Sequence, residues 1–264
     1  MADVGALVGD LRDEQDALDG ELTAGLDERG TDVLDLATPA KGWTVADELS
    51  HLAGFDEAAT TAVVRPDDFN ADLERRLAEG DHPVTGYTER GRQMSGLEVL
   101  DWWRTSRAEL LAALATMDPR ARVPWYGPPM SAMSFVTARI METWAHGQDI
   151  RDAMGLAPQA GPRLRHVAHI GVGARPFSFT IRDLPAPELP IDVVLEAPDG
   201  STWSWGPGDA ADRVSGPAVD FCLAVTQRRH LDDVHLDIVG PAATKWMSIA
   251  QAFAGPPGPG RAPL

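Results

Sequence analysis

Glu142 and His146 stand four residues apart in the stretch Glu142-Thr143-Trp144-Ala145-His146. On one helix that spacing puts both side chains on the same face, with Cβ atoms about 5–6 Å apart, so both can reach one ion. His51, much earlier in the chain, is a candidate third ligand from a neighbouring helix. Two imidazoles and one carboxylate make a catalytic type of zinc set, because three protein ligands leave one coordination position open. The chemistry implied is activation of a small nucleophile by a bound metal.

Each feature also has an ordinary reading. Projected at about 100° per residue, Arg139, Glu142, His146 and Asp149 share one arc of their helix, opposite Val136, Ile140 and Trp144. Such an arc is equally a solvated outer face. His51 lies near Phe55 and Glu48, where a half-buried imidazole satisfied by a carboxylate is common. Neither an H-E-x-x-H pattern nor a deaminase or Gly-rich phosphate motif is present to compete. His82 reads as part of a mobile loop. His166 and His169, i,i+3 on the helix after Gly161, could ligate but read rather as solvated or interdomain, and His230 and His235 read as flanking a turn.

The elements that must position these residues follow from apolar spacing. Leu7, Leu11, Leu18, Leu22 and Leu26 mark a first helix. Thr44, with Asp47 three residues on, opens a second as a capping box, followed by Leu49, Leu52 and Ala53. Residues 65–95 read as a long polar connection with a short helix at Asp72–Leu77. A third helix runs from Gly96 to Met117 and stops at Asp118-Pro119. The rigid aromatic segment Pro124–Met130 leads into the fourth, Met130 to Ala153. Four long helices suggest an antiparallel bundle, a fold that builds metal sites from facing helices. After Gly155 the pattern changes. Ile191–Glu196 and Thr202–Trp205 read as a strand pair, with a helix from Gly216-Pro217 to Gln227, a strand at His235–Val239 and a helix at Ala242–Phe253. The fold class is therefore α+β, with a helical domain over 1–158, a small α+β domain over 159–254 and a disordered tail over 255–264.

Bulk properties narrow the partners. The chain has 264 residues, 44% hydrophobic and 24% charged, with a formal net charge of −17. That charge argues against nucleic acid and against anionic membrane surfaces. No run approaches the ~18 apolar residues of a transmembrane helix, and the start lacks a signal peptide's basic and apolar regions. The single cysteine, Cys222, excludes an intramolecular disulfide and fits a reducing cytoplasm. It sits among Val219, Phe221, Leu223 and Val225 and reads as inert core.

The segment Gly42-Trp43-Thr44-Val45-Ala46-Asp47-Glu48-Leu49-Ser50-His51-Leu52 resembles the opening motif of DinB-like metal-binding bundles. More narrowly, it resembles the mycothiol-dependent maleylpyruvate isomerase family of actinobacteria. His146-Gly147-Gln148-Asp149-Ile150 and Ala153-Met154-Gly155 are similar to that family's H-x-x-D and A-x-G elements. Asp212–Asp220 resembles its second domain, a small α+β fold related to sterol carrier proteins. The resemblance implies that His51, Glu142 and His146 bind the metal and that the thiol cosubstrate is mycothiol. The Ala-, Gly- and Pro-rich composition is compatible with an actinobacterial source, which would supply mycothiol. The implied function is a divalent-metal-dependent transferase or isomerase acting on a small electrophilic, unsaturated acid.

Three further roles are expected on these terms. Asp149 would orient a ligand imidazole or be an i,i+3 surface carboxylate. Arg139 would hold a substrate carboxylate or pair with Glu142 or Asp149. Arg228 and Arg229 would bind an anion if the second domain covers the bundle's open end, beside a cleft between the domains. The same ligands also suit a hydrolase using activated water, and a non-catalytic metal-binding module stays open as a third class.

Overall fold

The protein is described from a computed structural model covering residues 3–80 and 83–263. His82 lies outside the described residues. The chain divides into two compact units, Met1–Ala157 and Pro158–Leu264.

The first unit is a four-helix bundle built from α1 (Val4–Arg29), α2 (Val45–Val64), α5 (Gly96–Ala115) and α6 (Ala132–Met154). Helix α2 packs on α5 and α6, and α1 on α6 and α5. Local chemistry fixes where these helices start. Asp47 N–H donates to Thr44 Oγ1, and Asp47 Oδ2 accepts from Thr44 N–H at 3.0 Å, so the capping box opens α2. Ser131 Oγ accepts from Ser134 N–H at the start of α6, and Gly155, at φ 74°, ends it in the left-handed conformation glycine favours. Leu11, Leu18, Leu22, Leu49, Leu52, Trp103, Leu110, Val136, Ile140 and Trp144 are all essentially buried. Each such side chain contributes roughly 1.5–3 kcal/mol relative to exposure.

Helix α6 is buried on both faces. Arg139 and Asp149 are as inaccessible as Ile140 and Trp144. The polar arc therefore points into the bundle, and a solvated outer face is excluded for these residues.

Residues 65–95 are more helical than the expected connection, and the short helix expected at Asp72–Leu77 lies inside the first of two helices. They form α3 (Pro66–Glu79) and α4 (Pro83–Gly91). Pro66 stands in the first turn of α3, where its missing N–H costs nothing. Phe69 is buried against the core. Asp72–Arg76 and Arg75–Glu79 ion pairs at i,i+4 then run along its exposed side. Few buried positions and many charges made this segment look like connection. A short antiparallel pair, β1 (Arg122–Val123) with β2 (Met130–Ser131), leads into α6.

The second unit carries α7 (Leu164–Gly173), α8 (Arg175–Thr180), β3 (Ile191–Glu196), β4 (Thr202–Trp205), β5 (Asp212–Pro217), α9 (Ala218–Val225), β6 (Asp237–Val239) and α10 (Pro241–Met247). Its sheet has the order β4-β3-β5-β6, with β3 parallel to β5 and the other pairs antiparallel. Strand β5 was not evident from its composition. It is held partly by Asp212, whose carboxylate accepts from the N–H groups of Ala242 and Ala243 at the start of α10. The helix expected over 242–253 ends at Met247. Among the described residues no helix is long and apolar enough to cross a membrane.

Candidate metal centre

Helix α2 presents Glu48 and His51 to α6, which presents Glu142, His146 and Asp149. Glu142 Oε2 lies 3.3 Å from His146 Nε2 and 3.7 Å from His51 Nε2. The two imidazole rings are 4.0 Å apart, centroid to centroid. One ligating atom from each of His51, Glu142 and His146 falls within 4.8 Å of the others. Bonds of ~2.0–2.2 Å to one zinc ion separate tetrahedral ligand atoms by about 3.5 Å, so the set is close to the size an ion requires.

The donor set fits a cation on electrostatic grounds as well. Nitrogen lone pairs and a carboxylate oxygen this close repel unless a proton or a cation lies between them. His51 favours the unprotonated form: burial first, then the neighbouring His146, lower its pKa to about 4 against the opposing pull of Glu142 and Glu48. Its Nδ1 is buried without a hydrogen-bond partner. Burial pushes the Glu142 carboxyl up, but contacts with His146 and His51 outweigh it and hold the group well below the usual carboxylate range. The side chains of His51, Glu142 and His146 are 11%, 22% and 12% exposed. The site is thus shielded yet reachable from outside.

Aromatic rings flank the imidazoles. Trp43 stacks near-parallel to His146 with centroids 6.2 Å apart. Phe55, one turn after His51 on α2, places its ring 4.6 Å from that imidazole. Beyond Phe55 stand Tyr87 and Tyr126, whose hydroxyls are 3.5 Å apart. Tyr87 comes close to α2 because residue 54 is glycine: a Cβ there would meet Tyr87 Cγ at 2.1 Å. Burial raises the pKa of both phenols, so they stay protonated at neutral pH.

Two residues whose contribution was missed from sequence complete the site. Glu48 is fully buried, and its Oε2 lies 2.7 Å from His146 Nδ1. The sequence placed Glu48 beside His51, one turn away, but gave no sign of its contact with a residue 98 positions on. Trp43 was visible as a motif residue, not as the ring over His146.

The other candidates fall as follows. Asp149 is buried and offers an oxygen within 4.8 Å of ligating atoms of His146 and Glu48. Arg139 shares the arc of Glu142, but its Nη2 donates to Asp56 Oδ1 at 2.8 Å, with both side chains buried. This partner is neither Glu142 nor Asp149. In the second unit Arg228 Nη1 donates to the Thr226 carbonyl and Arg229 Nη1 to the Arg228 carbonyl, each at 2.7 Å. Cys222 is buried in α9, and desolvation pushes its thiol pKa far above the ordinary range. His169 Nδ1 accepts from Trp205 Nε1, and His235 contacts Asp220.

A family model described as the mycothiol maleylpyruvate isomerase N-terminal domain matches residues 6–151. A second, described as wyosine base formation, matches residues 193–237, a small fraction of the chain. Uncharacterized proteins from two strains of Mycobacterium tuberculosis are 44% identical over 264 residues, covering 99% of this chain and 100% of theirs. The crystal structure of a mycothiol-dependent maleylpyruvate isomerase is similar in fold, with a TM-score of 0.55 and 16% identity over 89% of this chain and 93% of that one. A histidine-to-alanine mutant of that isomerase aligns equally well, at 15% identity.

Proposed function

The chain belongs to the mycothiol maleylpyruvate isomerase family, and on that premise we propose that it is a divalent-metal- and mycothiol-dependent isomerase or S-transferase acting on a small unsaturated acid. The observation that carries the reading is the convergence of His51, Glu142 and His146 on one partly accessible point between α2 and α6. Zinc suits this donor set of two imidazoles and a carboxylate. A divalent ion there supplies Lewis acidity and lowers the pKa of a thiol that coordinates to it.

This chain's residues supply the remaining requirements. His51 and His146 offer neutral nitrogen donors, and Glu142 offers one negative charge, so a dication and a thiolate leave the centre neutral before Glu48 is counted. Trp43 and Phe55 shield both imidazoles from water, which strengthens electrostatic interactions inside the site.

The proposed reaction needs no redox partner. The thiolate sulfur bonds to one alkene carbon of the unsaturated acid, and the π electrons move onto the conjugated carbonyl oxygen. Rotation about the new single bond and collapse of the enolate expel the thiolate and give the other geometric isomer. The thiol is regenerated and the proton count does not change. If the enolate takes a proton from solvent instead, the product is a stable thioether, and the activity is S-transfer. Cys222 takes no part, because its buried thiol is both protonated and inaccessible.

The test is metal analysis of purified protein, followed by thermal shift and turnover with and without mycothiol. Bound zinc with a thiol-dependent shift and thiol-dependent turnover is the expected result. Bound metal with full turnover in the absence of thiol would replace this reading with hydrolysis by activated water. Protein that binds no metal under any loading condition would reduce the site to a binding module.

A further inference from the structure

We propose that Glu48 is the positioning residue of the centre, holding the His146 imidazole with Nδ1 protonated and Nε2 turned towards Glu142 and His51. The inference rests on the metal-dependent reading above.

A carboxylate with 0% exposure is strongly disfavoured unless its lone pairs are satisfied. Here each oxygen has a donor. Oε2 meets His146 Nδ1 at 2.7 Å, and Oε1 accepts from Thr38 Oγ1 at 2.9 Å. Thr38 is itself fixed, because its N–H donates to the Trp43 carbonyl at 2.9 Å and its neighbour Ala37 bridges to Thr44. The relay Thr38–Glu48–His146 therefore runs from the loop that carries Trp43, through α2, to a ligand on α6.

This arrangement does two things at once. A carboxylate at Nδ1 can only accept, so the Nδ1–H tautomer is selected and the lone pair is left at Nε2, the atom that faces Glu142. Glu48 also lies one turn before His51 on the same helix. One hydrogen bond thus sets the ligand of α6 against the ligand of α2. Asp149 also offers an oxygen near His146, but it sits on α6 with that histidine, whereas Glu48 reaches the imidazole from α2. The bond is charge-assisted and short, the strong class of hydrogen bond.

The experiment uses the full chain with Glu48→Gln, Glu48→Leu, Thr38→Val and Asp149→Asn variants. Zinc affinity is read by chelator competition. The imidazole tautomer of His146 is read by ¹⁵N NMR on metal-stripped protein. The wild type is expected to keep Nδ1 protonated, whether or not Nε2 also carries a proton towards Glu142. Glu48→Leu is expected to weaken zinc binding roughly 10- to 100-fold and to populate the Nε2–H form. Glu48→Gln can still accept from Nδ1–H, so it keeps the tautomer and binds zinc several-fold more weakly, and Thr38→Val is affected least.

An unchanged tautomer and unchanged affinity in a folded Glu48→Leu protein overturns the proposal. If that variant fails to fold, wild-type affinity and an unshifted His146 signal in Glu48→Gln overturn it instead. A tautomer that responds to Asp149→Asn but not to Glu48→Leu transfers the role to Asp149. Failure of the wild type to bind zinc would defeat the metal reading, while the tautomer in stripped protein would still decide what Glu48 does.

Discussion

Helices α2 and α6 meet twice through charged side chains, and the two meetings are built differently. At one, Asp56 faces Arg139, a carboxylate against a guanidinium at 2.8 Å with both groups buried. At the other, Glu48 and His51 face Glu142 and His146, two carboxylates against two imidazoles. The first contact carries its own cation and closes on itself. In the second, Glu142 Oε2 faces the Nε2 atoms of both histidines, and these close nitrogen and oxygen atoms call for a positive centre between them. Burial alone therefore does not mark a functional site in this bundle. Charge balance does: the balanced pair holds helices together, and the unbalanced cluster is equipped to take an ion.

The largest effect that would break this comparison is at the unbalanced cluster. His146→Ala removes the imidazole that stands between Glu142 and Glu48. It is expected to lose bound zinc completely in metal analysis, and turnover with it, while the stripped protein keeps a wild-type circular dichroism spectrum. Retention of stoichiometric zinc would show that the cluster is not the metal site.

The balanced pair predicts the opposite pattern. Asp56→Ala leaves the Arg139 guanidinium buried without its carboxylate and is expected to cost about 3–5 kcal/mol in urea unfolding of stripped protein. Zinc stoichiometry of the surviving folded fraction should not change. Replacing both partners, as in Asp56→Leu with Arg139→Met, is expected to recover most of that loss, because neither charge then needs solvation. A double variant as unstable as the single one would mean that the pair does more than neutralise itself.

A pH series sharpens the distinction at intermediate size. His51 is depressed from 6.5 to about 4 in the folded protein. Between those values the unfolded chain binds more protons than the folded one, so stability of the stripped protein falls as pH drops from 6.5 towards 4 and rises as pH increases. The expected change across the window is on the order of 3 kcal/mol. Glu142, held below its usual range by His146 and His51 against the effect of burial, pushes in the same direction at lower pH. His51→Gln should flatten the slope between pH 6.5 and 4 in urea titrations, and an unaltered slope would assign it elsewhere.

How far the sequence reaches can be judged at the same residues. The Glu142–His146 spacing is readable because helical period alone puts i and i+4 together, and the Thr44–Asp47 capping box is readable because it is local. His51 was a candidate third ligand that only the family resemblance tied to this pair, since no local rule pairs residues so far apart. The partners of Glu48 and Arg139 were not legible for one reason. Their neighbours along the helix were visible, but their actual partners, His146 and Asp56, lie 98 and 83 positions away and are chosen by how α2 packs on α6. Of α3 only Asp72–Leu77 was legible as helix, and α4 not at all, because their outward charges read as connection. Strand β5 was hidden because Asp212, Ser215, Gly216 and Pro217 carry little strand propensity, and pairing with β3 and β6 supplies what composition lacks.

The smallest expected effect concerns sulfur. If the unbalanced cluster activates an external thiol, the chain's own cysteine must be dispensable. Cys222 is fully buried, its Sγ lies 3.6 Å from the Leu164 carbonyl, and desolvation alone drives its pKa upward. A thiol so placed stays protonated at neutral pH, and the thiolate is the reactive form. Cys222→Ala removes one buried sulfur, which is expected to cost about 1 kcal/mol or less of stability if α9 relaxes around the space. Turnover with mycothiol should stay within about twofold of wild type, the margin allowed by a small packing change of that size. The folded wild type should also resist alkylation by iodoacetamide until urea opens the second unit, as mass spectrometry of the intact chain would show. Loss of turnover in a Cys222→Ala protein that still binds zinc would place the reactive sulfur inside the chain. The contrast between the two charged meetings of α2 and α6 would then no longer account for the activity.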